Sequence, residues 1–264
     1  MRPKERDPWA DLAADTAALG IALPPRFEAH ARVFISELGR WNRVGRLTGY
    51  RTEGEQVEGL VLESLVLLSV LIEPASPLLD IGSGPGIPGL VLKLARPDWE
   101  VTLVEANRRR ATFLRHVVRR LDLRGITVLQ NRAEALTSQA DLRGAFRTVT
   151  MRAVAMVERA VALGEPFLAS GGRLVIPLGP GGMPPAGIVR EVQLPAVSGR
   201  LPRRRAFLII AATEGGSVPR GTRRQRGARV GGRQPEGRRR EDHHRGESGG
   251  GTRRGRAADA PGRL

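Results

Sequence analysis

One decapeptide constrains this chain more than any other feature. Asp80-Ile-Gly-Ser-Gly-Pro-Gly-Ile-Pro-Gly89 joins an apolar, strand-like run, PLLDIG, to a helical run, PGLVLKLA. Glycines there let the backbone turn tightly and approach a ligand, and free N–H groups at a helix start favour an anion. At the end of a buried strand, such a turn reads as a nucleotide-type cofactor site. Gly84-Pro-Gly-Ile-Pro-Gly89 also fits the dinucleotide expression, but that match discriminates poorly in a chain with 33 glycines. Three residues separate the alternatives. Asp80 would repel a diphosphate but attract the ammonium of a methionine moiety. Pro88 removes a backbone donor that a diphosphate could use. Glu105 ends the next strand, where an acid can accept hydrogen bonds from both ribose hydroxyls. Together they favour S-adenosylmethionine over a nicotinamide dinucleotide, with a purely structural turn as the remaining alternative.

The alternation continues on both sides. EVTLVE, ITVLQ, AFRTVT and GGRLVIPL read as strands, and NRRRATFLRHVVRRLDL and 154–168 as helices. Strand–helix alternation of this kind implies an α/β fold with a mostly parallel sheet covered on both faces. GIVREVQLP and RRAFLIIAA read as an antiparallel pair closing it. Ahead lie a short helix near Asp11–Leu19, an amphipathic helix carrying Phe27, Ala31, Phe34, Leu38 and Trp41, and a third helix over about Glu55–Ile72. The expected layout is a helical extension over 1–59, a catalytic domain over 60–213 and a disordered tail over 214–264.

Charge enters through that tail. The chain carries +16, and half of it, 14 Arg against 6 acidic residues, falls in 214–264. A Gly/Arg-rich segment without aromatics cannot bury enough apolar surface to fold alone. The basic balance suggests a polyanionic partner, although lysine is nearly absent and arginine bias can come from base composition. With no cysteine and four scattered histidines, neither a disulfide framework nor a structural zinc site is expected. No apolar run is long enough for a span, so a cytoplasmic protein without metal or membrane is expected.

Several segments together resemble the ribosomal RNA small subunit methyltransferase G family: WNRVGRLTGYR (41–51), LESLVLL (62–68), LLDIGSGPGIPGLVLKLARPD (78–98), VTLVEANRRRATFLR (101–115), ITVLQNRAE (126–134) and RAVA (152–155). The resemblance implies a class I S-adenosylmethionine-dependent methyltransferase fold, Rossmann-like with an antiparallel C-terminal strand. It implies a guanine N7 in the 530 loop of 16S ribosomal RNA as acceptor. It sets Gly82, Gly84, Gly86 and Ile87 around the methionine and ribose, Glu105 at the ribose, Ala133 and Glu134 beside the adenine, and Arg152 at the edge shared by cofactor and substrate. Glu134 and Arg152 are the candidate catalytic residues, with 16S rRNA or a small-subunit precursor as partner and a monomer as the expected state. The chain departs from the family pattern at Arg46 (asparagine there), Leu60 (histidine), Glu63 (aspartate), Met151 (a small or hydroxyl residue) and Leu178 (lysine), and GPGGMPPAG is too short and rich in Pro and Gly for the helix expected after the fifth strand. A noncatalytic RNA-binding relative, or a methyltransferase with another acceptor, is the alternative these departures raise.

Guanine N7 carries an in-plane lone pair, so its methylation needs no base to remove a proton, which agrees with the lack of a triad or dyad. Glu134 could stabilise the positive charge left on the base. Arg108, Arg115 and Arg119 form a stripe that reads as the solvated face of a helix or as an RNA backbone surface; Arg203–Arg205 is a second candidate surface and the tail a third. Aromatic residues are too sparse for a stacking platform to be expected, and Trp41 reads as helix packing.

Overall fold

The computed structural model describes residues 7–152, 157–178, 188–193 and 204–212. The GPGGMPPAG segment and the Gly/Arg tail lie outside them. Seven strands form one sheet in the order β3-β2-β1-β4-β5-β7-β6. They are β1 (Leu78–Ile81), β2 (Val101–Val104), β3 (Ile126–Leu129), β4 (Phe146–Met151), β5 (Leu168–Leu178), β6 (Ile188–Gln193) and β7 (Arg204–Ala211). Strands β1 to β5 pair in parallel, and β7 runs antiparallel to both β5 and β6. This is the class I methyltransferase sheet, including the antiparallel closing pair expected from the sequence.

Alternation along β1 divides the core in two. Leu78 faces a cluster built with the helices α1 (Pro8–Ala18), α2 (Phe27–Val44), α5 (Gly89–Ala95) and α6 (Arg108–Arg120). Leu79 and Ile81 face the other cluster, with α7 (Ala133–Leu136) and α8 (Val157–Gly164). The N-terminal helices therefore share a core with the sheet. Their amphipathic faces bury Trp9, Leu12, Phe27, Phe34 and Leu38 against it. Trp41 packs edge-on to Phe113 at 5.5 Å and beside His116, in the packing role its spacing suggested.

The third helix departs from a regular pattern. It begins as α3 (Glu53–Gln56) behind a Thr52/Glu55 capping box, widens to a π-helical turn over Val57–Leu62, and narrows through α4 (Glu63–Val66) to a 3₁₀ turn at Leu67–Ser69. Single π turns inside helices are frequent at functional sites. Among the described residues, no helix is long and apolar enough to cross a membrane.

Candidate active site

Register brings the strand ends into one row. Ile81 pairs with Val104 on one side and Met151 on the other, and Val104 pairs with Leu129. Gly82, Glu105, Gln130 and Arg152 thus lie along one edge, at the carboxyl ends of the strands. Strand order reverses between β1 and β4, and open α/β sheets bind ligands in the crevice at such a switch point.

The glycine turn does not offer the free N–H groups that its sequence suggests. Gly82 and Ser83 donate to Val104 O at 2.8 and 3.0 Å, and Gly86 and Ile87 donate to Ser83 O at 2.8 and 2.9 Å. Gly84 donates to Glu105 Oε2 at 2.7 Å, Gly89 to Asp80 Oδ2 at 2.9 Å, and Leu90 to Gly86 O at 3.0 Å. Pro85 and Pro88 have none to give. Every backbone donor from Gly82 to Leu90 is committed within the protein, so the anion-binding reading of the turn is corrected: this is not a phosphate nest.

Acceptors remain. Asp80 is fully buried and uses only Oδ2; Oδ1 makes no hydrogen bond to the protein. Its neighbour across β1–β4, Thr150, is equally buried, and its Oγ1 is likewise without a protein partner. Burial pushes the Asp80 carboxyl up to about 7, although the Gly89 N–H, Ser83 and the charge of Arg152 pull the other way. The arrangement fits a cationic, donor-bearing group and would repel a diphosphate. The glycines supply the room: Gly82 has φ +73°, and a Cβ there would meet nothing within 4 Å. At Gly89 a Cβ would lie 2.5 Å from Leu103 Cδ2 and 2.7 Å from Asp80 Cβ, so glycine alone lets α5 close on β1 and reach Asp80.

Glu105 is buried, and its carboxylate joins two loops. Oε2 accepts from Gly84 and Oε1 from Asn107, both at 2.7 Å. A carboxylate has about four lone-pair sites, so each oxygen can still accept a ribose hydroxyl. Ile87 turns its side chain into the core, and its N–H is taken by Ser83. Ala133 is buried in the second cluster, at the start of α7. Glu134, next to it, is exposed and lies 3.5 Å from Arg159; local hydrogen bonding holds its carboxyl below the usual range.

Arg152 follows β4 and donates to Gly59 O at 3.1 Å, inside the π-helical turn. The helical segment before the sheet is thereby tied to the crevice, a link that no sequence spacing revealed. Ser83, Thr150 and Gly59 join the site for the same reason: register and the π turn place them there. Of the RNA-facing candidates, Arg108 and Arg119 are exposed, whereas Arg115 is half-buried and bonded to Gln130 Oε1 at 3.2 Å. Arg205 is not free surface charge, because it pairs with Glu63 in a half-buried bridge whose Nε–Oε1 contact is 2.8 Å. Two other departures also have structural settings: Leu60 is core, and Met151 fills the space left by Gly164, where a Cβ would lie 2.8 Å from Met151 Cε.

A glycine turn after β1, an acid after β2 and an antiparallel seventh strand together define a class I methyltransferase. Within that class the chain belongs to the rRNA small subunit methyltransferase G family, whose model matches residues 28–179. It is 41% identical over 170 residues to the ribosomal RNA small subunit methyltransferase G of Roseiflexus castenholzii, covering 64% of this chain and 72% of that one. The protein of that name from Chloroflexus aggregans is 39% identical over 168 residues, 64% and 71% of the two chains. The one from Sorangium cellulosum is 36% identical over 214 residues, 80% and 86% of the two.

Proposed function

We propose that the protein transfers a methyl group from S-adenosylmethionine to N7 of a guanine in the 530 loop of 16S ribosomal RNA, acting as a monomer in the cytoplasm. The observation that carries the donor assignment is the committed N–H set of the glycine turn beside the unpartnered acceptors of Asp80 and Thr150. The acceptor assignment rests on family membership and on the names its relatives bear. Asp80 and the turn would hold the methionine moiety, Glu105 the ribose, and Ala133 with Glu134 the adenine. When bound, the cofactor supplies an electrophilic methyl on a sulfonium, and its transfer leaves a neutral thioether and a positively charged 7-methylguanine.

The remaining work falls to the chain. N7 attacks with its own lone pair, so no side chain need accept a proton beforehand. What the crevice contributes is alignment and exclusion of water, worth about 7–11 kcal/mol when two reactants are well oriented. Arg152, bonded to Gly59 O and with its charge favouring the ionised form of Asp80, lines the edge where the base enters. Glu134 adds a negative charge near the product.

The test is to incubate the protein with radiolabelled S-adenosylmethionine and 16S rRNA or small subunits from cells lacking this methyltransferase, then map 7-methylguanosine by mass spectrometry. Label in the 530 loop is the expected result. Cofactor binding with no transfer to rRNA would overturn the reading.

A further inference from the structure

The segment between α2 and α3 is short, exposed and strongly positive. Arg43, Arg46 and Arg51 all face solvent, and no acidic residue lies between them. Val44, 82% exposed, and Tyr50, 37% exposed, are two of the three large hydrophobic side chains left at the surface among the described residues. Exposed apolar residues scattered singly mean little. These two are interleaved with arginines on one loop, and the loop borders the crevice.

Its conformation is fixed. Arg109, at the start of α6, donates to Trp41 O at 3.2 Å and Val44 O at 3.4 Å, and its guanidinium occupies the space beside Gly45 where a side chain would stand. Asn42 Oδ1 accepts from Leu47 N and Thr48 N at 2.8 and 3.1 Å, and Leu47 is buried. Tyr50 N donates to Thr48 Oγ1 at 3.3 Å, while Tyr50 O accepts from Asn42 Nδ2 at 3.4 Å and from the buried Gln56 Nε2 at 3.3 Å. Glu55 Oε2 then accepts from Arg51 N and Thr52 N at 2.8 and 3.0 Å. The ring of Tyr50 is presented from a rigid backbone.

Its position matters most. The ring rests on Gly59, where a Cβ would lie 2.5 Å from Tyr50 Cζ, and the carbonyl of that same glycine holds Arg152. One residue therefore separates the chain's sole tyrosine from the arginine at the crevice edge. A pre-positioned aromatic flanked by cations is the chemistry that receives single-stranded RNA: the ring stacks on a base and the guanidinium groups meet phosphates.

We propose that the loop over residues 43–51 is the docking surface for the substrate RNA, with Tyr50 stacking on a nucleobase at the mouth of the crevice and Arg43, Arg46 and Arg51 contacting its phosphates. The inference rests on the reading of the protein as an RNA methyltransferase and names the residues that position its acceptor.

Four variants at Tyr50 test it. Y50A and Y50L raise KM for RNA by roughly 5- to 150-fold, the range that loss of one base–aromatic stack produces, while Y50F and Y50W keep a low KM. The loss falls on KM rather than kcat, and affinity for S-adenosylhomocysteine stays at the wild-type value. Y50L distinguishes stacking from filling, because leucine covers Gly59 but has no π face; a wild-type KM in Y50L overturns the proposal. The triple variant R43A/R46A/R51A lowers the slope of log affinity against log salt by about 2, from roughly 0.7 per phosphate on a single strand. An unchanged slope also overturns it. If the wild type methylates rRNA while these variants match it, this inference alone fails. If the wild type neither methylates nor binds rRNA, the functional reading fails and takes this one with it. If it binds without transfer, dissociation constants replace KM in the same comparison.

Discussion

Two loops border the same sheet edge, and they are built to opposite specifications. In the glycine turn every backbone donor is bonded within the protein; in the 43–51 loop those of Gly45, Leu47, Thr48, Tyr50 and Arg51 are. The glycine turn, 82–89, is buried except at Gly82 and Pro85, and beside it lie acceptors: Asp80 Oδ1, Thr150 Oγ1 and the spare lone pairs of Glu105. The 43–51 loop is exposed and presents donors on three arginines. A rigid, acceptor-lined turn suits a small cation that must be held in one pose. A rigid, cationic rim suits a long polyanion whose phosphates need charge more than shape. The edge thus carries two surfaces of opposite electrostatic character, each with its backbone fixed by bonds made within the protein.

Glycine substitutions should break this comparison most visibly. A side chain at Gly89 collides with Leu103 and Asp80, so G89V should cost about 3 kcal/mol or more, as overpacking of a core does, and abolish cofactor binding. At Gly49 the nearest atom is Arg46 Nη2, 3.6 Å from where a Cβ would lie, and G49A should stay within about 0.5 kcal/mol of the wild type. Thermal denaturation of both checks the contrast; equal losses would mean that the outer loop is as tightly packed as the inner.

Glu105 gives the next effect. Replacing it with glutamine turns an amide N–H2 toward Gly84 N–H or Asn107 N–H, leaving a buried donor facing a donor. E105Q should lose about 2 kcal/mol of stability and weaken S-adenosylhomocysteine binding, read by urea denaturation and calorimetry. Asp80 adds a pH signature. Its folded pKa, about 7, lies above its usual value of 3.8, so the folded chain holds that proton more tightly. The resulting stability is fully present below the usual value and is lost as pH rises through about 7. Cofactor binding runs the other way, because an ammonium needs the ionised carboxylate: affinity should fall about fivefold from pH 7 to pH 6, and D80N should flatten the profile. An unchanged wild-type profile would remove Asp80 from the ammonium site.

The inner half of this comparison was legible because backbone chemistry writes itself into sequence. Gly82 needs a positive φ, Gly89 needs the absence of a Cβ, and buried strands show as apolar runs, so the strands and the turn are legible in the sequence, while the order of the strands in the sheet is not. Nor is the use made of the turn's N–H groups. That depends on Val104 O and Glu105 arriving from the next strand, and register is a tertiary fact. The π turn at Val57–Leu62 has no periodicity signature distinct from that of an α-helix, so the sequence shows Gly59 as an ordinary helical residue and gives no sign that Tyr50 and Arg152 both contact it. Low aromatic content argued against a stacking surface, yet a count cannot report where one ring stands. Arg205 misled for the opposite reason: its triplet of arginines looked like surface, and the pairing partner, Glu63, is far away in sequence.

Glu134 carries the smallest prediction, and it tests where the acceptor-lined half ends. Its carboxyl is exposed, ionised at neutral pH and 3.5 Å from Arg159, in solvent that screens whatever charge it meets. Exposed charges a few ångströms apart interact by about 1 kcal/mol in water, so E134Q should lower kcat by about two- to fivefold. Loss of the exposed pair with Arg159 should change stability by less than about 0.5 kcal/mol. Single-turnover methyl transfer at saturating RNA isolates this step from docking, and R159A provides the matching control, because it frees Glu134 to face the base and should leave the rate the same or slightly faster. A wild-type rate in E134Q, with cofactor affinity also unchanged, would assign Glu134 to the helix start alone and confine the acceptors to Asp80, Thr150 and Glu105.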